Sequence, residues 1–197
     1  MGHDTYYTKL IHNILKTVMV TATGLLGLYA CNPPVERIPP SPRSFKTMEL
    51  LISLSDMPPN WFVGSGPVKN QGDTLYYSRD ASYVVFETDS EYSPKGASHD
   101  IYQFIDSANA EHIYNDFFVG MAGKEPPEWS YQSGVADQYY FVCYDYEGRF
   151  PPFCSWVGRY EEFIVVFRAW LIPDRMTLSD IEQIVKTIDS IMGEKLK

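Results

Sequence analysis

Glu162-Phe163-Ile164-Val165-Val166-Phe167-Arg168-Ala169-Trp170-Leu171 is the stretch on which the fold turns. Phe163, Val165 and Phe167 alternate with Ile164, Val166 and Arg168, so the period is two and both faces of the strand are largely apolar. A strand with no face for water needs cover on both sides, which predicts a central position in a sheet. On its N-terminal side, Ala136 to Tyr144 and Phe153 to Tyr160 read as two further strands joined by a turn around Gly148 and Arg149. The three together make a meander, and Glu128 to Gln132 is expected to add a strand before it. On its C-terminal side, Thr177-Leu178-Ser179-Asp180 has the form of a capping box with Asp in the place of Glu. The helix it opens carries Leu178, Ile181, Ile184, Val185, Ile188 and Met192 on one stripe, which predicts that it lies on the sheet.

The first half of the chain repeats the plan. Thr74 to Arg79, Ser82 to Thr88 and His99 to Ile105 read as strands of an earlier meander, with extended structure beginning at Trp61-Phe62-Val63. Ser44 is placed to cap a helix over Phe45 to Leu54, stopped by Asp56-Met57-Pro58-Pro59. Asp106 or Ser107 is placed to cap a second, in which Ala110, Ile113, Tyr114, Phe117, Phe118 and Met121 follow helical spacing. Helix, meander, helix, meander, helix predicts an α+β fold: an antiparallel sheet of about six to seven strands packed by helices.

Upstream of this domain the composition changes. Lys9 and Lys16 precede fourteen uncharged residues, Thr17 to Ala30, and then Cys31. Charge, apolar run and small residue stand in export order. The run is shorter than the roughly 20 apolar residues a spanning helix requires, contains Thr and Gly, and is followed by proline. Leu28-Tyr29-Ala30-Cys31 resembles the bacterial lipoprotein signal, with Tyr29 bulkier than the usual small residue. That resemblance implies diacylglycerol on Cys31, cleavage after Ala30, and an anchored protein on the extracytoplasmic face of a cell membrane. The alternative is a plain secretory signal in which Cys31 is incidental. Next, Asn32 to Pro42 packs five of the chain's 14 prolines into the ten positions from Pro33. Such a run favours extended polyproline II and acts as a spacer. The expected organisation is a signal peptide over 1–30, a lipidated Cys and Pro-rich tether over 31–43, and one globular domain over 44–197.

The chain carries a formal charge of −9, and removal of residues 1–30, with Asp4, Lys9 and Lys16, leaves −10. An acidic domain without a basic stripe is repelled by polyanions, so no nucleic-acid partner is expected. Cys143 and Cys154 are the remaining cysteines, an even pair compatible with an oxidising compartment. Pairing of the two strands around Gly148 sets them opposite each other, which favours a structural disulfide over redox or metal roles, since neither Cys-x-x-Cys spacing nor a nearby His is present. Within 31–197 only His99 and His112 occur, no Gly-rich phosphate loop or nucleophile elbow appears, and the acidic clusters lack an EF-hand pattern. The expectation is no catalytic residue, no metal and no cofactor.

The compositional excess is aromatic, with 15 Tyr and 4 Trp. Such residues suit protein, peptide or carbohydrate recognition, and they also pair across the strands of any antiparallel sheet. Tyr144, Tyr146 and Trp156, close to the cysteine pair, are the candidate recognition positions. The element order and Leu54-Ser55-Asp56-Met57-Pro58-Pro59-Asn60-Trp61 are loosely similar to extracellular sensor domains of bacteria, and the layout resembles the PsbP/Mog1 type of α/β sandwich. Both are likenesses of layout and imply a fold without assigning a residue role. The sequence therefore points to a membrane-anchored binding or accessory module, with an extracytoplasmic enzyme and a structural envelope protein as the alternatives.

Overall fold

The computed structural model describes residues 43–69, 77–89, 96–120, 123–144 and 151–197. The signal segment, Cys31, all but the last residue of the tether, Tyr146 and the Gly148-Arg149 turn lie outside the described residues. Among the described residues six strands form one antiparallel sheet: β1 (Trp61–Lys69), β2 (Asp80–Thr88), β3 (Ala97–Gln103), β4 (Gln138–Tyr144), β5 (Phe153–Tyr160) and β6 (Phe163–Trp170). The spatial order is β1-β2-β3-β6-β5-β4, so two three-stranded meanders meet along the β3–β6 seam. The apolar strand β6 is central, as expected, paired with β3 on one side and β5 on the other.

Each face of the sheet has its own core. Phe163, Val165, Phe167 and Ala169 of β6 point to the face covered by α2 (Leu178–Lys195) and its Ile181, Ile184, Val185, Ile188 and Met192. Burying those five α2 side chains contributes roughly 10 kcal/mol before chain entropy is subtracted. Thr177 accepts from the Asp180 amide and Asp180 accepts from Thr177, closing the expected capping box. Ile164 and Val166 point to the opposite face, where Ala110 and Ile113 of α1 (Ser107–Ile113) pack with Tyr114 and Phe118. Asp106 is the α1 cap, its carboxylate accepting the Asn109 amide at 2.8 Å.

Several expectations need correction. Phe45 to Leu54 is not one helix; two 3₁₀ turns, Thr47–Leu50 and Leu54–Asp56, stand there. Between them Ile52 is extended enough for its amide to reach His99 of β3, a tertiary bond that a continuous helix would forgo. The partner of β2 is Trp61–Lys69 rather than Thr74–Arg79; Thr74 to Tyr76 lie outside the described residues, and Tyr77 to Arg79 are not strand. β1 is an edge strand with two register shifts and Pro67, irregularities that an edge tolerates and a centre does not. Glu128 to Gln132 forms no strand, because Trp129 turns inward and stacks on Phe141 at 3.9 Å. The second helix widens into a π turn over Tyr114–Phe118. That extra residue per turn moves the buried position from Phe117, which is 49% exposed, to Phe118, which is 1% exposed.

Candidate functional site

The cysteine pair faces as the alternation requires. Cys143 and Cys154 are register partners at the β4–β5 ladder and are joined as a disulfide. The Cys143 amide and carbonyl turn away from β5 and bond Lys124 instead, so the pair is a non-hydrogen-bonded one, where Cα atoms approach most closely. Tyr144 lies at the end of this ladder, its ring 6.4 Å from that of Phe153. Trp156 does not share the surface with it: the indole is fully buried under α2, 6.1 Å from the Tyr160 ring. Recognition by Trp156 is thereby corrected to a core role. Gly158 makes this packing achievable, since an added Cβ would come within 2.4 Å of the Trp156 ring. Tyr146 lies outside the described residues.

Both histidines take the bland places their sequence context allows. His112 is exposed, 3.4 Å from Asp116 one turn on. His99 is fully buried, its Nδ1 accepting the Ile52 amide at 3.1 Å while Nε2 has no hydrogen-bond partner. Burial pushes its pKa down to about 3, so the ring is neutral and its Nε2 carries the proton. Asp189 of α2 is also buried and accepts hydrogen bonds from Tyr131, at 2.5 Å, and from Tyr160. Desolvation first, and the Asp189 charge and hydrogen bond after it, raise both phenols well above their usual range. These are donors tied to an acceptor beneath the sheet, an arrangement suited to holding α2 in register. Among the described residues no group of three or more His, Cys, Asp or Glu is arranged to hold a metal.

The concave, apolar surface is on the other face, around α1. One cleft of about 320 Å³ is lined by Tyr77, Phe104, Ile105, Ile113 and Phe117 among others. A second, of about 560 Å³, runs between the π turn and β4, with Tyr114, Val119, Tyr139, Tyr140 and Val142 in its walls. Ile105, Phe117 and Val119 are about half exposed, and Tyr77 is 82% exposed. Tyr77 also has φ +59°, a left-handed conformation that costs a non-glycine residue about 1 kcal/mol. No local sequence pattern marks this surface. Its members come from four separated stretches, and two of them, Phe117 and Ile105, sit in patterns that read as buried.

Comparison with known proteins finds no matching family model, no similar curated protein and no similar solved structure.

Proposed function

We propose that the chain is a lipid-anchored protein of the extracytoplasmic membrane face whose domain is a non-enzymatic binding or accessory module, with the apolar rim of α1 as its partner-facing surface. The observation that carries this reading is the exposure of Tyr77, Ile105 and Phe117 around one cleft and of Val119 in a second, both walled in part by the segment from α1 through the π turn. Apolar groups exposed together rather than singly mark contact surfaces. Trp61, Trp129 and Trp156 are buried and Trp170 is half-buried against Phe153, away from these clefts, so no indole lines them for stacking on a sugar, and a protein or peptide partner is favoured. The anchored location is supported by Leu28 to Cys31, by the proline run after it, and by a cystine that persists in oxidising compartments.

Two measurements test the two halves. Cells fed alkyne-palmitate should label the wild-type chain and not Cys31→Ser, and the variant should leave the membrane fraction; equal labelling sinks the anchor. A photo-cross-linking residue at position 105 or 119 should give a discrete adduct in intact cells, lost on adding Phe117→Ser, while the same probe at position 186 on α2 gives none. Adducts of equal yield at all three positions would refute the assigned face.

A further inference from the structure

At the end of the sheet where β1 finishes and β2 begins, a cavity of about 240 Å³ is lined by Arg43, Phe45, Lys69, Arg79, Asp80 and Gln103. Three of the chain's 16 basic side chains thus surround one small space in a protein of charge −9. They are not equally satisfied. Arg43 is held from behind by Glu161 and by Glu162, whose carboxylate it grips at 2.8 and 2.9 Å, and neither glutamate lines the cavity. Lys69 Nζ stands 3.0 Å from Asp80 Oδ1, near enough for an ion pair, yet that oxygen receives no directed hydrogen bond. Asp80 Oδ2 accepts from Thr47 at 3.2 Å, and Thr47 is in turn bonded to Ser82, so this carboxylate is fixed in place. Arg79 is exposed and makes no ion pair among the described residues. One residue before it, the Ser78 hydroxyl is buried without a hydrogen-bond partner.

We infer that this cavity is a binding site for a phosphate group. The Arg79 fork can take two oxygens, Lys69 can supply a point charge to a third, and Arg43, fixed by its glutamates, closes the rim. A tetrahedral anion has enough oxygens to meet cations arriving from three directions, whereas a planar carboxylate saturates on one fork. The space exceeds what the bare ion fills, and Phe45 offers an apolar wall to the remainder of an ester. The phosphate can belong to a soluble ester or to a phospholipid headgroup. The second source rests on the lipid-anchor reading, because Arg43 follows Cys31 by only twelve residues, about 40 Å of fully extended chain, and brings this end of the sheet within reach of the bilayer. The cavity itself does not depend on that reading.

The test uses the full chain in neutral detergent micelles, titrated with inorganic phosphate against chloride at constant ionic strength, with the arginine Nε–H resonances as readout. Saturable movement of the Arg79 resonance is expected in the millimolar range. Arg79→Gln should weaken phosphate binding by about tenfold or more, while Lys186→Gln, a cation on α2 remote from the cavity, should not. Acetate should bind more weakly than phosphate. A response that follows ionic strength alone, or equal affinity in Arg79→Gln and wild type, overturns the inference. In nanodiscs, an Arg79 shift without added phosphate in phosphatidylglycerol but not in phosphatidylcholine assigns the headgroup source; no shift in either assigns a soluble ester. If Cys31→Ser leaves anchoring unchanged while phosphate still binds in micelles, the anchor reading fails and the site stands.

Discussion

His99 offers the sharpest test of how the domain is held together, because a single proton should count against the fold. The ring lies in β3 between its register partners Val84 and Phe167, fully buried, and can keep the Ile52 amide only while Nδ1 is unprotonated. Folding lowers its pKa from 6.5 to about 3 through desolvation. A folded pKa below the unfolded one means that the unfolded chain takes up the proton first. The stabilisation is therefore complete above pH 6.5 and drains away as pH falls from 6.5 towards 3, at about 1.4 kcal/mol per pH unit. At pH 5 the loss is about 2 kcal/mol, a large share of the 5–15 kcal/mol typical of a domain. The assay is denaturant unfolding of wild type and His99→Gln at pH 7 and pH 5, followed by tryptophan fluorescence. Gln retains an acceptor for the Ile52 amide and does not titrate, so the variant should begin roughly 1–3 kcal/mol less stable at pH 7 and then lose about 2 kcal/mol less than wild type on acidification. Every other group is common to the two proteins and cancels in the difference. Parallel losses in the two proteins would show that His99 is solvated or already paired, and the account of the Ile52 bond would be wrong.

Other consequences can be measured in the same way. Reducing Cys143–Cys154 should lower stability by about 3 kcal/mol, the chain-entropy value for so short a loop, and mass spectrometry of the protein purified without reductant should find neither thiol free. Gly158→Ala should lower the melting temperature sharply because its methyl group collides with the Trp156 and Tyr160 rings, whereas Gly134→Ala, which meets nothing within 4 Å, should be nearly silent. Tyr160→Phe should cost about 2 kcal/mol by leaving buried Asp189 with one donor fewer, and a double-mutant cycle with Asp189→Asn should reveal coupling between them; strict additivity would show that they do not share a bond. Ile105→Ser should change stability by less than about 0.5 kcal/mol, since Ile105 is more than half exposed; a core-sized loss would remove the basis for calling it a contact surface.

The elements that were legible in the sequence are those whose pattern and packing agree. β6 alternates without exception over Phe163 to Ala169, and α2 combines a capping box with an unbroken stripe, so local preference and burial point to one answer. The illegible elements are those where a single tertiary contact outweighs a local pattern. Phe45 to Leu54 has helical spacing, but the Ile52 amide is worth more to buried His99 than to another helical turn. Phe117 has the helical spacing of a buried residue, and the π turn exposes it by displacing the register one position.

The cavity at the sheet end was illegible for a further reason. Composition registers the sum of charges, and at −9 that sum argues against anion binding anywhere on the chain. Binding depends instead on which cations have their carboxylates already in hand. Arg43 is matched by Glu161 and Glu162, 118 and 119 residues away, and Lys69 by Asp80 across the β1–β2 pair. Those pairings fix two of the cations in position, and Arg79 beside them is left to answer an incoming ligand. An acidic protein can therefore hold an anion where its own acids serve as struts, and replacing a strut should be as harmful as replacing the fork. Glu162→Gln, which slackens Arg43 while removing a negative charge, should weaken phosphate binding, whereas simple long-range electrostatics would have it strengthen.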